Sequence, residues 1–262
     1  MTLDDDRKRR TEFEAGKWTD YFDSAIDGAG QEHEDTLWWR VSDDHSLDIV
    51  EQLIGGSKPI SVCEPACGSG GTTLKLAERI ELDEVVLLDV SPSAVKFAKS
   101  LIPPELQDRY EVKQGDAFAT ELAENRFDLV WNVGVIEHYL PEQILEMVEE
   151  MFRITKPGGL VLIAYPNRKS IAALKAAVLG SEFGRRFLTW IPGYRFDSEI
   201  LYSDRFLAKT IGDHTGGTVE TQYAGSSLWV GAPDALVALE QKWFPKSRCA
   251  FLTFLAIRKP VT

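Results

Sequence analysis

The chain is 262 residues long, 44% hydrophobic and 27% charged, with a net charge of −12. That length suits one large α/β domain or a domain with an inserted cap, and the acidic balance argues against a nucleic-acid partner, whose phosphates need a basic surface. No apolar run approaches the ~20 residues that span a membrane, the N-terminus has no apolar signal core, and the three cysteines form no disulfide-like pattern, so a cytoplasmic protein with no membrane partner is expected.

Residues 1–50 carry fourteen Asp and Glu against six Lys and Arg. The first ten, of mixed charge, are expected to fray. Phe13, Trp18, Tyr21 and Phe22 predict an amphipathic helix, or two short ones, over Thr11 to Ile26, broken at Asp27-Gly28-Ala29-Gly30. Leu37, Trp38, Trp39, Leu47, Val50, Leu53 and Ile54 predict a second helix stopped by Gly55-Gly56. Tyr21, Trp38 and Trp39 read either as ligand contacts or as core aromatics.

Ile60 to Gly71 reads I-S-V-C-E-P-A-C-G-S-G-G. A β-branched run ends in Glu64, a small-residue loop follows, and Thr72 to Ile80 reads as a helix. Strand, glycine turn and helix bring bare backbone N–H groups to a ligand at a helix N-terminus. A dinucleotide fingerprint would place glycine where Thr73 stands, and no P-loop Lys-Ser/Thr pair follows. Cys63 reads as strand core and Cys67 as a loop residue near any ligand; with no Cys or His in ligand spacing, no metal site is predicted.

Glu84 to Asp89 is a second, doubly buried strand, ending in an acid nineteen residues after Gly70, a spacing that lets Asp89 accept from ribose hydroxyls. Ser91 and Pro92 start the next helix. Tyr110 to Phe118 gives the third strand and its exit loop, and Phe127 to Gly134 the fourth with Asn132, Val133 and Gly134 at its end. Pro141 to Ile154 has a helical core stripe, Ile144, Val148, Met151 and Phe152. Lys156-Pro-Gly-Gly159 reads as a tight turn before a fifth strand, Leu160 to Ala164.

From Ile60 to Tyr165 these segments together resemble the class I S-adenosylmethionine-dependent methyltransferases of small-molecule type. Glu64, Gly68 and Gly70 match the family's E/D-x-G-x-G-x-G motif, with Ala66 in place of its first glycine. Val135-Ile-Glu137-His138-Tyr139 looks like the segment after its fourth strand, and Lys156 to Gly159 like its "KPGG" marker. The resemblance implies a Rossmann-like α/β fold: a seven-stranded, mostly parallel sheet with helices on both faces, an N-terminal helical lid over residues 1–56, and a core over 57–262 with a substrate cap at 167–202 inserted after the fifth strand. It implies S-adenosylmethionine as cofactor, held by Tyr21, Glu64, Ala66, Cys67, Gly68, Gly70, Asp89, Val90, Asp116, Ala117, Phe118, Asn132, Val133 and Gly134.

The span after Asn167 is long for an α/β connection. It carries Phe183, Phe187, Trp190, Tyr194 and Phe196, with six Lys and Arg against three acids. This reads either as a solvated face or as a site for a partly apolar, anionic acceptor. A helix capped by Ser170 is predicted over Ile171 to Leu179, another over Asp204 to Ile211, and the last two strands over Thr218–Ala224 and Ala250–Arg258.

The expected function is methyl transfer to O, N or C of a small molecule, a secondary metabolite or an anionic, partly apolar compound. Trp38, Trp39, Tyr139, Trp190, Tyr194 and Arg195 are the substrate candidates. His138 is the candidate base, with packing beside the cofactor as its other reading. A protein or RNA methyltransferase is opposed by the charge and by the absence of an N-P-P-Y-type signature at Asn132. A chain that binds the cofactor for a different reaction, or merely binds it, stays open.

Overall fold

The computed structural model describes residues 2–26, 36–55, 58–191, 194–245 and 247–261. The predicted breaks at 27–30 and at Gly56 lie outside them. The first helix, α1, is continuous over Leu3–Ile26, so the N-terminal ten residues are not frayed. Thr2 caps it, accepting from the Asp5 N–H at 3.1 Å while Asp5 accepts from the Thr2 N–H at 3.0 Å. Three acids in the first turn suit the positive end of the helix. The second helix, α2 (Leu37–Ile54), starts at Thr36 and ends at Gly55 with φ 54°.

Seven strands form one sheet among the described residues: β1 (Ile60–Pro65), β2 (Leu82–Asp89), β3 (Tyr110–Gln114), β4 (Phe127–Val133), β5 (Thr155–Pro166), β6 (Val219–Ala224) and β7 (Leu252–Arg258), in the order β3-β2-β1-β4-β5-β7-β6. All pairings are parallel except those of β7 with β5 and β6. The order reverses between β1 and β4, which opens a crevice at the carboxyl ends of these two strands, where open α/β sheets take their ligands.

Alternation along the strands divides the core into two. On one face Val62, Leu87, Leu129 and Leu162 pack with α2, α3 (Gly71–Ala77) and α4 (Pro92–Leu101). On the other, Cys63, Val86, Val130 and Val161 pack with α5 (Pro141–Ile154) and α8 (Asp204–Thr215). The α5 stripe Ile144, Met147, Val148 and Met151 is fully buried, at roughly 1.5–3 kcal/mol per side chain.

Lys156 to Gly159 differs from the tight turn expected: it is the first part of β5. The C-terminal segment pairs with it, Gly158 N–H donating to Lys259 O at 2.9 Å and Lys259 N–H to Gly159 O at 3.0 Å. After β5 come α6 (Ile171–Gly180), capped by Ser170, and α7 (Glu182–Phe187); α9 (Asp234–Trp243) lies between β6 and β7.

Helix α1 lies across the carboxyl rim of the sheet. Its first half meets α5, with Gln143 Nε2 donating to Asp6 and Arg7 pairing with Glu146 at 3.5 Å. Its middle meets the segment after β4, Arg10 donating to His138 O at 3.3 Å. Its end meets α4, through Thr19–Ser91 at 2.9 Å, Ser93–Asp23 at 2.7 Å and Phe22 against Phe97.

Candidate active site

The loop after β1 winds through left-handed backbone at Ala66 (φ 58°), Gly68 (φ 54°) and Gly70 (φ 66°). A Cβ on Gly70 would stand 2.5 Å from Leu87 Cδ1, so glycine is obligatory there. Asp89, at the end of β2, closes the loop from beside it. Its two oxygens accept from the Gly68 N–H and the Ser91 N–H, each at 2.8 Å. Burial pushes the Asp89 carboxyl up, against these two N–H groups, which pull it down. Beneath the loop, Thr73 donates to Glu64 at 2.5 Å and accepts from Trp131 Nε1 at 3.0 Å. The position that departs from the dinucleotide fingerprint thus carries a hydroxyl that holds Glu64. Burial raises the Glu64 carboxyl to about 8.

Asp116 accepts from the Phe118 N–H at 2.9 Å, and Phe118 packs edge-on against Tyr139 with Arg7 over its ring. Gly134 (φ 75°) donates to Ala164 O, turning the chain sharply after β4 into the Ile136–His138 turn. A Cβ on Gly134 would stand 3.6 Å from Glu137 Oε1.

A cavity of about 520 Å³ opens beside this turn. Val133, Gly134, Glu137 and His138 form one wall; Trp18 and Tyr21 of α1, Trp39 of α2, Ala172 and Ala176 of α6, and Phe251 are among the apolar residues of the others. Lys17 and Lys175 also line it. A second hollow, near Arg79 and Arg109, lies by the amino end of β2, away from the crevice.

Two buried acid clusters meet the cavity. His138 Nδ1 stands 2.9 Å from Ser198 Oγ and 3.2 Å from Glu14 Oε1, and Ser198 donates to the same Glu14 oxygen at 2.6 Å. With Ser198 donating to Glu14, Nδ1–H is the donor to Ser198. Burial pushes the imidazolium down, but Glu14, Glu137 and Glu199 reverse this, so His138 sits above its ordinary value. Glu14 is held low by His138 and Ser198 in spite of burial. Glu137 is different: Oε2 is buried without a hydrogen-bond partner among the described residues, and burial raises the carboxyl to about 7. Farther out, Tyr194 donates to Glu199, and Lys17 Nζ approaches both at 3.5 Å.

The methyltransferase domain family matches residues 62–159, the span from β1 to the start of β5. Residues 62–159 thus match as a methyltransferase domain. The chain is 32% identical over 109 residues to the 2-methyl-6-phytyl-1,4-hydroquinone methyltransferase of Synechocystis, covering 42% of this chain and 33% of that one. It is 25% identical over 194 residues to the demethylmenaquinone methyltransferase of Lactococcus lactis, covering 66% and 76%. The first of these matches thus spans about a third of its relative's length. In fold, the chain is similar to the magnesium protoporphyrin IX methyltransferase of Synechocystis with bound SAH, at a TM-score of 0.55 and 16% identity over 92% of this chain and 97% of that one.

The loop after β1 fits S-adenosylmethionine. Gly68 and Gly70 leave backbone bare at the rim, and each Asp89 oxygen, holding one N–H, keeps acceptor capacity for a hydroxyl. Val90 follows directly, its carbonyl held by Gln114 at 3.0 Å. Phe22 covers this place, its Cζ 3.3 Å from where a Gly68 Cβ would be.

Of the predicted residues, Ala66, Gly68, Gly70 and Asp89 form this loop cluster, while Asp116, Ala117 and Phe118 lie on the exit from β3. Cys67 is buried, its thiol pushed well up by burial. Asn132 turns its side chain away from the crevice, its amide against Met147 Sδ and Met151 Sδ under α5, so the carboxyl end of β4 offers Val133 and Gly134 instead. Trp39, Tyr21 and Tyr194 reach the cavity. Trp38 does not: it is core, its indole donating to Leu228 O with Phe251 packed on it. Trp190 is 77% exposed and outside the lining. Tyr139 is buried behind the turn, its hydroxyl 3.3 Å from Thr11. Arg195 spends its guanidinium on the carbonyls of Leu179, Leu188 and Ile191, which makes it a brace of the cap.

Glu14, Ser198 and Glu199 were not legible as site residues. No motif surrounds them; only tertiary packing brings α1 and the 194–199 segment to His138.

Proposed function

We propose that the chain transfers a methyl group from S-adenosylmethionine to a small, largely apolar acceptor bearing an ionisable X–H group, with Glu137 as the proton acceptor. The observation that carries this reading is the cavity of about 520 Å³, lined mainly by aromatic and aliphatic side chains but carrying, beside Gly134, the Glu137 carboxyl with its unpartnered Oε2. Its size is ordinary for a small-molecule site. Two relatives are named for a phytyl hydroquinone and a demethylmenaquinone, and an apolar ring-bearing acceptor suits such a lining. The net charge of −12 weighs against a nucleic-acid acceptor.

When bound, the cofactor supplies an electrophilic methyl on a sulfonium. The chain's own part is orientation and proton removal. Trp39, Tyr21 and Tyr194 hold the acceptor and exclude water, and orientation supplies roughly 7–11 kcal/mol in favourable cases. A carboxyl near pH 7 is matched to proton transfer at neutral pH. His138, raised above its ordinary value by Glu14 and the neighbouring acids, is the weaker candidate for the base, and when protonated it favours the anionic forms of Glu137 and of the acceptor. Glu137 would take up the X–H proton of the acceptor, while the bound cofactor would supply the methyl group that replaces it.

The test is binding of S-adenosylmethionine by calorimetry, with Asp89→Ala, Gly68→Val and NAD as controls, followed by S-adenosylhomocysteine release against a panel of hydroquinones and phenols. Micromolar binding lost in both variants, with turnover on a member of the panel, is expected. Preference for NAD, or binding without turnover on any acceptor, would sink the reading.

A further inference from the structure

We propose that the outward face of α6, α7 and α9 docks on an anionic lipid bilayer. An amphipathic helix of a globular protein turns its apolar stripe inward. Here two helices also present one outward. On α6, Ile171, Leu174 and Val178, at spacings of three and four, are exposed, while Ala172, Ala173 and Ala176 are buried. On α9, Leu236, Leu239 and Trp243 repeat the same spacing on the exposed side, with Val237 buried. Ala172 and Val237 belong to one small core cluster, so the two helices flank a common seam. Helix α7 follows α6 directly and exposes Phe183 and Phe187, and Trp190 and Phe244, just past the ends of α7 and α9, are exposed as well. Contiguous exposed apolar surface of this kind marks an interaction site.

The charge on this face identifies the partner. The chain carries −12 overall, yet Arg186 lies over Phe187, Lys242 lies over Trp243, and Arg248 follows. None of the three makes an ion pair among the described residues. The acids of these helices are Glu182, Asp234 and Glu240, and Glu240 is turned in to Ser226 and Ser227. Exposed Trp, Phe and Leu interleaved with Arg and Lys is the chemistry of an interfacial surface on anionic lipid. A symmetric contact between two copies through this face would set its basic residues against each other. Among the described residues no helix is long and apolar enough to cross a membrane, and none is needed for a surface contact. The inner side of α6, Ala172 and Ala176, lines the cavity. The bilayer would therefore lie about one helix diameter, ~10 Å, from the acceptor site. The proposal does not depend on which acceptor is methylated.

The test is sedimentation of the full chain with vesicles of phosphatidylcholine alone or with about 30% phosphatidylglycerol, at about 1 mM lipid. The wild type is expected to pellet with the anionic vesicles and to be released by salt. Arg186→Glu and Lys242→Glu should each weaken partition about fivefold or more. Phe187→Ser with Trp243→Ser should abolish it, with melting temperature and S-adenosylmethionine binding unchanged, which separates loss of docking from loss of folding or of cofactor. The proposal fails if the wild type stays in solution with anionic vesicles, or if the variants pellet like wild type. It also fails if light scattering shows a dimer that the serine variants dissociate, for then a second copy covers the face.

Discussion

His138 Nδ1 lies 3.2 Å from Glu14 Oε1, which joins the segment after β4 to a helix more than a hundred residues earlier in the chain. Ser198, from the segment that follows α7, completes the contact. Three parts of the chain that a motif search treats separately are thus held together by one buried charge pair.

Replacing Glu14 by Gln should cost about 2 kcal/mol near pH 6, measured by urea denaturation. The pH dependence distinguishes a charge pair from simple packing. His138 is raised in the folded state, so its contribution is complete below the unfolded value near 6.5 and is lost as pH rises through the folded value. Glu14 is lowered, so its contribution is present above its unfolded value and is lost in acid. The wild-type advantage should therefore peak between about pH 5 and 6.5 and shrink toward pH 9. An advantage equal at pH 6 and pH 9 would rule out the charged pair.

Glu137→Gln should lower kcat on a hydroxyl acceptor by about 10²–10³-fold while cofactor affinity changes less than about twofold. In the wild type, kcat should climb with pH to a plateau above about 7, where the carboxyl ionises. Stability should move the opposite way. A carboxyl raised in the folded state binds its proton more tightly there, so stability falls as pH rises from about 4.5 to 7, by on the order of 3 kcal/mol. The Gln variant should lose both dependences. A variant with wild-type kcat would remove Glu137 from the chemistry.

The fold was legible because each strand from β1 to β5 ends in a motif of recognisable composition, and alternation fixed which faces are covered. The site was legible in the loop after β1 and at Asp89, where backbone geometry itself demands Gly70 and the acid. It was not legible where long-range packing decides. Trp38 and Trp39 are adjacent in sequence and indistinguishable by type, yet on α2 they differ by one helical step, so one is core and the other reaches the cavity. Asn132 is at the expected strand end, but strand alternation turns its amide under α5. Thr2 makes a capped helix start out of charged residues that composition alone assigns to a frayed end.

Ala66 holds a left-handed φ of 58°, where a Cβ is strained. Ala66→Gly should relieve that strain, offset in part by the greater freedom of glycine in the unfolded chain. The net gain should be about 0.5–1 kcal/mol, a rise of about 1–4 °C in melting temperature. Cofactor affinity should be unchanged or improved, because the substitution restores the glycine of the family motif. A lower melting temperature would mean that the Ala66 methyl contributes packing that outweighs its backbone strain.

Arg195 separates bracing from substrate recognition in the cap. Its guanidinium donates to Leu179 O at 2.8 Å and to Leu188 O and Ile191 O at 2.9 Å each, so one planar group ties the end of α6 to the chain after α7. Lysine cannot reproduce a fork of donors. Arg195→Lys and Arg195→Ala should therefore behave alike. Both should lower stability by about 1–3 kcal/mol and speed proteolytic cleavage between α7 and Ser203, while cofactor affinity stays within about twofold. If Arg195 instead met an anionic acceptor directly, Lys would retain much of the activity that Ala loses, and cleavage rates would not change. Limited proteolysis of the three proteins side by side, with KM for any acceptor found, decides between these outcomes. Equal cleavage rates in all three would show that the carbonyl contacts do not hold the cap.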